Sequence, residues 1–205
     1  MTQVIRNKTP AGFTLLELLV ALAIFSLIAV MAYGGLETVL KQKTLTEENA
    51  NSLATLQKTY LLMQRDIEQA VPRTIRDEFG DPQGPLIGTT QFQFTRGGWN
   101  NPANHTRSTL QRVGYALQDR QVNRYAWLML DRAQDSEPTR QALTDDIESM
   151  QVRYLNEAGA WQEQWPPTMT ENNPDANPMD FPRAVEITLK HRRFGTLIWL
   201  FQLPR

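Results

Sequence analysis

The sequence has no cysteine and only two histidines in 205 residues. The lack of cysteine excludes disulfide bonds, so any domain of this chain that faces an oxidising compartment must be held together by a hydrophobic core. It also removes thiolates as nucleophiles and as zinc ligands. His105 and His191 stand outside any metal-like spacing, and we expect both to be solvated. We therefore predict no catalytic residue, no metal site and no cofactor, and expect that the protein is not an enzyme.

An excess of charge of either sign is also missing. The chain has 21 lysines and arginines against 22 aspartates and glutamates, which gives a net charge of −1. No basic field is available to attract nucleic acid or an anionic lipid surface, so we expect no nucleic-acid partner. A length of 205 residues leaves room for one membrane helix and one further domain of ordinary size.

A long apolar segment occupies residues 13–36. It contains almost only Leu, Val, Ala, Ile, Phe, Met and Gly, and as a helix it would be about 36 Å long, enough to cross a hydrocarbon core of ~30 Å. Arg6 and Lys8 precede it, which predicts that residues 1–12 stay on the cytoplasmic side while the rest of the chain crosses the membrane. Glu17 is the single acid inside the segment. A carboxylate is costly to bury there, which makes Glu17 a functional candidate.

Two other interpretations of this segment remain open. A secretory signal peptide also has a basic start and an apolar middle, and Ala32-Tyr33-Gly34 has the small residues of a cleavage site. The apolar segment is longer than the usual ~7–15 residues of such a peptide, however, and a signal peptide has no use for Glu17. An ordinary signal anchor explains the span but leaves Gly12-Phe13 and Glu17 unexplained.

The helix is predicted to continue beyond the membrane as an amphipathic segment, residues 37–71. Apolar side chains recur at intervals of three and four, at Leu53, Leu56, Tyr60, Met63, Ile67 and Ala70. This spacing forms one stripe along a helix, and Pro72 ends the helix at or just before Val71. A separate second helix, joined by a loop around residues 42–48, is the alternative. We also expect four apolar side chains to remain available to partner helices: Leu36, Val39, Leu40 and Leu45.

Residues 72–205 are predicted to form short strands separated by turns. Alternating apolar and polar residues, bounded by turn signals, place strands at 91–95, 113–117, 125–130, 147–155, 184–190 and 196–203. The short connections favour antiparallel pairing. A long helix followed by antiparallel strands gives an α+β fold, in which the apolar stripe of the helix covers one face of the sheet.

Two groups of polar residues and two tryptophans are weaker candidates. The polar groups are Asp145, Asp146 and Glu148, and separately Glu171, Asn172, Asn173, Asp175 and Asn177. Neither follows the alternating ligand pattern of a calcium loop with its glycine, so we favour solvated turns over calcium sites. Trp161 and Trp165, with Pro166-Pro167, are either core residues, which we favour, or a platform that docks peptides.

The stretch Gly12-Phe13-Thr14-Leu15-Leu16-Glu17, after a short basic leader and before a long apolar helix, resembles the type III signal of type IV pilins and type II secretion pseudopilins. The resemblance implies that a prepilin peptidase cuts between Gly12 and Phe13, removes residues 1–12 and N-methylates Phe13. It also implies that Glu17 pairs with the Phe13 amine of a neighbouring subunit during assembly. The pairing would turn a costly isolated charge into a compensated pair.

Further motifs narrow the resemblance to the J-type minor pseudopilins of type II secretion systems. They include Ala23-Ile24-Phe25 in the span, Arg65-Asp66 and Gln69-Ala70-Val71-Pro72-Arg73 at the helix end, and Phe94-Thr95-Arg96, Leu110-Gln111-Arg112-Val113 and Pro182-Arg183-Ala184-Val185-Glu186 beyond it. Gly34, where many J proteins have a larger polar residue, departs from the pattern.

The J-type resemblance implies a pilin-like fold that is anchored once in the inner membrane, with its carboxy-terminal domain in the periplasm. It also implies a complex with the I-type, K-type and often the H-type minor pseudopilins at the tip of the pseudopilus. This tip complex starts pseudopilus assembly and helps to export folded exoproteins across the outer membrane. Direct contact of this subunit with secreted exoproteins stays open.

Two other functions compete with this hypothesis. A minor pilin of a type IV pilus, active in adhesion, motility or DNA uptake, has the same amino-terminal signal. Many type IV pilins carry a carboxy-terminal disulfide loop, so the absence of cysteine favours the secretion branch. A membrane-anchored periplasmic hydrolase is the second alternative, but the sequence offers no convincing triad or metal site for it.

Overall fold

The computed structural model describes residues 12–100, 102, 106–132, 134, 136–168 and 180–204. The chain divides into two compact units, Met1–Asn51 and Ser52–Arg205. One helix, α1, extends from Leu15 to Glu68 and contributes to both units, and antiparallel strands follow it. The fold is α+β, as predicted.

In the first unit, α1 is continuous and its described side chains are all exposed. The helix runs without interruption through residues 42–48, so the alternative of a separate second helix is wrong. Thr38, Thr44 and Thr46 each donate their hydroxyl to the carbonyl four residues earlier, which satisfies these polar groups within the helix. The apolar side chains of this unit therefore have no cover from the described parts of their own chain.

In the second unit, α1 ends at Glu68, three residues before the predicted end at Val71. The backbone that follows pairs with a strand: the Val71 N–H donates to the Thr95 carbonyl at 2.9 Å, and the Gly97 N–H donates to the Gln69 carbonyl at 2.8 Å. The backbone at residues 69–71 therefore forms strand-like hydrogen bonds with residues 95–97, and the helix ends before Pro72.

Eleven short strands lie in the described part of the second unit. They are β1 Ile75–Arg76, β2 Pro82–Gln83, β3 Leu86–Gly88, β4 Phe92–Arg96, β5 Gln111–Gln118, β6 Gln121–Ala126, β7 Thr139–Thr144, β8 Ile147–Leu155, β9 Trp161–Gln162, β10 Ala184–His191 and β11 Gly195–Gln202. The larger sheets have the orders β3-β4-β5-β6-β7 and β11-β10-β8-β9, and β1 pairs with β2. All of these pairings are antiparallel.

The strand predictions are confirmed for β8, with the predicted bounds 147–155, and within two residues for β4, β5, β10 and β11. The return strand of the central hairpin is a correction, since the prediction placed it at 125–130. Asp119 and Arg120, with φ values of 52° and 61°, form a two-residue turn, and β6 starts directly after it. Strand β7 was not predicted, because its side chains are mostly exposed and lack an apolar alternation.

Helix α1 contacts both larger sheets, whereas the prediction placed it on one sheet face. Tyr60 contacts Trp199 and Phe201 of β11, with ring centroids 5.6 and 5.2 Å apart. Thr59 Oγ1 donates to the carbonyl of Leu143, on β7 in the other sheet, at 3.2 Å. Four of the six predicted stripe residues are buried: Leu56, Met63, Ile67 and Ala70. The helix therefore holds two sheets together around one core.

Candidate functional site

Gly12, Phe13 and Thr14 form a short non-helical segment before α1. Gly12 and Phe13 are both exposed, and a side chain added at Gly12 would meet no atom within 4 Å. Nothing in the described part of the chain crowds the peptide bond between Gly12 and Phe13. The predicted cleavage site is therefore accessible to a protease.

Thr14 and Glu17 form a reciprocal cap at the start of α1. The Thr14 N–H donates to Glu17 Oε2 at 2.9 Å, and the Glu17 N–H donates to Thr14 Oγ1 at 3.3 Å. The Thr14 hydroxyl donates to the same carboxylate oxygen at 3.0 Å. This capping box satisfies N–H groups that the first turn of a helix leaves without partners, and it places a negative charge at the positive end of the helix dipole. Glu17 thus has a partner in its own subunit, which the sequence analysis missed although Thr-x-x-Glu before an apolar segment is a known cap signature.

The helix from Leu18 to Leu36 carries no charged side chain. Its large apolar residues are all at least half exposed. The hydroxyl of Ser26 donates to the Leu22 carbonyl at 2.7 Å, so this polar group is satisfied inside the helix. In the described parts of the chain, α1 is the one helix that is long and apolar enough to cross a membrane. Such a surface is stable where lipid or other apolar helices surround it.

Four apolar residues at and just after the end of the span are exposed, as predicted: Leu36, Val39, Leu40 and Leu45. With 3.6 residues per turn, Leu36, Val39 and Leu40 lie on one face of the helix. Leu45 lies on the opposite face, so the four residues do not form a single surface. We call Leu36, Val39 and Leu40 the post-span face.

A buried ionic cluster fixes the carboxyl end of α1 to the five-stranded sheet. Asp66 is fully buried and accepts hydrogen bonds from Arg124 Nε and from the Tyr115 hydroxyl, both at 2.6 Å, and from Arg96. Arg96 also donates to the side chain of Gln69. The three donors lie on the neighbouring strands β4, β5 and β6, which brings them to one point above the sheet. We call these five residues the Asp66 cluster.

The Asp66 cluster shifts the pKa values of two of its members, Tyr115 and Arg124. Burial, together with the negative charge and hydrogen bond of Asp66, raises the pKa of Tyr115 well above its usual range. Burial alone would lower the pKa of Arg124, but the hydrogen bond and charge of Asp66 outweigh it and raise that pKa. The cluster therefore holds a neutral Tyr115 and a charged Arg124 at neutral pH.

A family model described as type II secretion system protein J matches residues 34–203, and the prokaryotic N-terminal methylation motif matches residues 7–33. The chain belongs to the type II secretion system protein J family. Its J-family identity and its fold make it a minor pseudopilin, as the sequence motifs predicted. Membership of the protein J family also favours a role in type II secretion over the two alternatives, a minor pilin of a type IV pilus and a membrane-anchored hydrolase.

Individual relatives agree with this J-family assignment. Type II secretion system protein J of Escherichia coli is 31% identical over 210 residues, which cover 97% of this chain and 100% of the relative. Protein J of Klebsiella pneumoniae is 30% identical over 207 residues, 96% of each chain. A chain in the crystal structure of the GspK-GspI-GspJ complex from enterotoxigenic Escherichia coli is similar in fold, with a TM-score of 0.64 and 28% identity. The similarity covers 75% of this chain and 99% of that one.

Trp161 and Trp165, the two tryptophans singled out in the sequence, have different environments. Trp165 is buried and donates its Nε1–H to the Asp180 carbonyl at 3.0 Å, so it is a core residue as favoured. Trp161 is exposed, and the guanidinium of Arg153 lies 5.1 Å from its ring centroid. The expectation of a core role is therefore wrong for Trp161.

Two of the three acidic residues at 145–148, Asp146 and Glu148, form surface ion pairs. Glu148 lies 2.9 Å from Lys190 Nζ, whose hydrogen bond and charge lower the pKa of Glu148, and Asp146 lies 3.7 Å from Arg120. No group of three or more His, Asp or Glu side chains in the described ranges is arranged to hold a metal. The second polar group, 171–177, lies outside the described residues, as does His105.

Two buried side chains were not anticipated. His191 is buried rather than solvated, and its Nδ1 accepts the backbone N–H of Arg193 at 3.0 Å in the β10–β11 turn. Arg112 is fully buried, and its Nη1 donates to the carbonyls of Gly84 and Pro85 at 3.1 and 2.9 Å. Burial, with a smaller effect of the Arg132 charge, lowers the pKa of Arg112 to about 9. Sequence patterns gave no signal for either role, since both depend on which loops reach the sheet.

Proposed function

We propose that this minor pseudopilin is made as a precursor, that a prepilin peptidase cuts it between Gly12 and Phe13, and that the new Phe13 amine is methylated. Three observations support the proposal. The peptide bond is accessible, glycine allows a protease to approach the backbone closely, and the methylation motif covers this position. Because α1 starts only at Leu15, the new amine lies just outside the helix, at the membrane surface.

Within the fibre, Glu17 pairs with the Phe13 amine of a neighbouring subunit. A carboxylate has about four acceptor sites, so the bonds from Thr14 leave capacity for an ammonium group. The cap also holds the carboxylate at the first turn, the level at which a neighbour's amino terminus would arrive in a bundle of parallel helices. Pairing removes the cost of two isolated charges in an apolar environment.

The helix spans the inner membrane once, with the amino terminus in the cytoplasm and the second unit in the periplasm. There the subunit joins the I-type, K-type and H-type minor pseudopilins at the pseudopilus tip, starts pseudopilus assembly and so supports export of folded exoproteins. The relative in the GspK-GspI-GspJ complex supports the choice of I-type and K-type partners. The role is one of assembly, with no catalytic step in this chain and no required contact with exoproteins.

The observation that carries the proposal is the bare helix of the first unit. It is apolar on all sides across the span and then exposes the post-span face. An enzyme with a simple anchor does not need an uncovered apolar face beyond the membrane, whereas a subunit that packs among parallel helices does.

Deletion of the gene tests this function. Exoproteins are expected to accumulate in the periplasm, while type IV pili form normally, and the parent gene on a plasmid should restore release. Normal exoprotein release together with lost pili would instead support the type IV pilus alternative. Co-purification of the full-length chain with tagged I-type and K-type subunits from detergent-solubilised membranes tests the partners directly.

A further inference from the structure

A groove lies on the outer face of the five-stranded sheet. One cross-strand row on β3, β4, β5 and β6 consists of Ile87, Gln93, Gly114 and Tyr125. Successive side chains of a strand point to opposite faces, and Tyr115, the neighbour of Gly114, lies in the core. The row therefore faces away from the core, and it lines a groove with a volume of about 480 Å³.

Two side chains that line the groove are held in place by Arg132. Its guanidinium lies 4.3 Å from the centroid of the Trp127 ring and also donates to Gln93 Oε1. A Cβ atom at Gly114 would come within 3.2 Å of Gln93 and 3.5 Å of Trp127, so the glycine leaves the space between them open. The walls are thus fixed before any ligand arrives, which lowers the entropy that binding would cost.

The lining combines aromatic rings with amide side chains. Tyr125 and Trp127 are half-buried, and the amides belong to Gln91, Gln93 and Gln164. An amide side chain has two donor hydrogens and an acceptor oxygen. None of the described residues that line the groove is charged, so it offers no counterion to an acidic or a basic ligand. These features favour a neutral ligand with an apolar face and a polar edge.

We propose that this groove binds a neutral oligosaccharide. A sugar ring carries C–H groups on its faces, which can stack on the Tyr125 ring, and hydroxyl groups around its edge. A hydroxyl group both donates and accepts hydrogen bonds, as a glutamine amide does. The volume is within the ~300–1,000 Å³ of small-ligand sites. This activity is separate from the assembly role proposed above, which does not require it.

A peptide matches the same groove less well. Strands β4, β5 and β6 are each paired on both sides, so their backbone offers no hydrogen bonds to an added strand. A proline-rich peptide would find aromatic rings to dock on, but its carbonyl groups only accept hydrogen bonds. The acceptor oxygens of Gln91 and Gln164 would then gain no donor from the ligand, whereas sugar hydroxyls supply one.

Saturation-transfer NMR on the full-length chain tests the proposal. The chain is purified in lauryldimethylamine oxide, a detergent with neither a sugar headgroup nor an aromatic ring. It is then mixed with maltotriose, with tri-N-acetylchitotriose or with a short, neutral proline-rich peptide. Irradiation of the aromatic protons of the protein is expected to transfer saturation to the ring C–H protons of at least one trisaccharide, and titration of that sugar gives its affinity.

Two variants each remove one part of the proposed recognition. Tyr125→Ala removes an aromatic ring, and Gln164→Leu removes an amide but keeps a side chain of similar size. Their matched controls are Trp161→Ala and Gln151→Leu, which remove an exposed ring and an exposed amide outside the groove. Each groove variant should weaken the affinity for the trisaccharide at least about tenfold, whereas the controls should leave it unchanged.

Three results would overturn the proposal. One is the absence of transfer to both trisaccharides, and another is transfer to the peptide alone. The third is an equal loss of affinity in the groove variants and their controls, since the sugar would then bind any exposed ring or amide. If Tyr125→Ala melts at a lower temperature than the parent, Gln164→Leu decides, because Gln164 is exposed and its replacement leaves the core intact. An unchanged affinity in Gln164→Leu would then refute the assignment.

Discussion

Replacement of Asp66 by alanine is expected to destabilise the second unit severely. Asp66 compensates two arginines whose side chains are only 7% and 11% exposed, Arg96 and Arg124, and it accepts the hydroxyl of Tyr115. Its loss leaves two positive charges buried side by side without a counterion. Breaking a buried pair in this way costs about 3–5 kcal/mol. That is a large part of the roughly 5–15 kcal/mol that holds a domain folded.

The corresponding fall in melting temperature is large enough to measure simply. For a unit of this size, each kcal/mol lowers the midpoint by about 2–4 °C, so Asp66→Ala should lower it by roughly 6–20 °C. Circular dichroism during heating and in urea gives both the midpoint and the free energy of unfolding. A soluble fragment that begins near Lys41 is suitable, because it includes all of the Ser52–Arg205 unit.

Glu68→Ala is the matched control for this measurement. Glu68 lies two residues further along α1 and is exposed, so its replacement should change the free energy of unfolding by no more than about 0.5 kcal/mol. Asp66→Asn keeps the shape of the side chain but removes its charge, and should lie closer to Asp66→Ala than to the parent. Equal midpoints for Asp66→Ala and Glu68→Ala would refute the reasoning, since the arginines would then be satisfied without Asp66.

Four further predictions concern other residues. Gly12→Leu should leave an uncut precursor on gels, and amino-terminal sequencing of the parent should begin at Phe13; a start further into the span would support a signal peptide. Glu17→Gln keeps a hydrogen-bond acceptor for the cap but removes the charge, and Glu17→Leu removes the acceptor as well as the charge. The two variants should be cleaved normally but should impair exoprotein release. Normal release by the Gln variant would reduce the role of Glu17 to capping. Leu40→Glu should weaken co-purification with the I-type and K-type subunits while the melting temperature of the second unit stays unchanged; a lower melting temperature would place Leu40 in the core. Because the pKa of Tyr115 is raised in the folded unit, the unfolded chain loses this proton first as the pH rises above ~10, and the free energy of unfolding should fall there. Tyr115→Phe should reduce this fall by up to about 1.4 kcal/mol per pH unit, as measured by urea unfolding at a series of pH values.

Local periodicity was sufficient to predict the elements whose one side is buried. The stripe residues Leu56, Met63, Ile67 and Ala70 and the alternation of Met150, Val152 and Tyr154 in β8 both follow from that rule, and the structure buries these side chains. The amino-terminal methylation motif was also recognisable, because Gly12 to Glu17 is contiguous and has the required spacing. Cleavage after Gly12 stays a prediction. In each case the information lies within a few neighbouring residues.

The features that escaped prediction depend on contacts between distant parts of the chain. Periodicity tells which face of a strand is buried but not which strands pair, so the division into two sheets was not foreseen. The Asp66 cluster joins residues up to 58 positions apart, and nothing local distinguishes Asp66 from a solvated acid on a helix. The same limit applies to the buried Arg112, whose partners lie 17 to 28 residues away.

The order in which the core is completed has a consequence for biogenesis. The face of α1 around Tyr60 is synthesised early, but its aromatic partners Trp199 and Phe201 come from β11, after almost the whole of the unit. Until β11 has emerged, the helix and the inner faces of both sheets have no finished core to join, because contacts between distant residues form late. A nascent subunit therefore exposes the apolar face of α1 for most of its synthesis. We expect such a chain to bind chaperones and to be cleaved readily by proteases. We therefore expect chains that end before β11 to be degraded faster than complete chains, because they lack the aromatic partners of Tyr60.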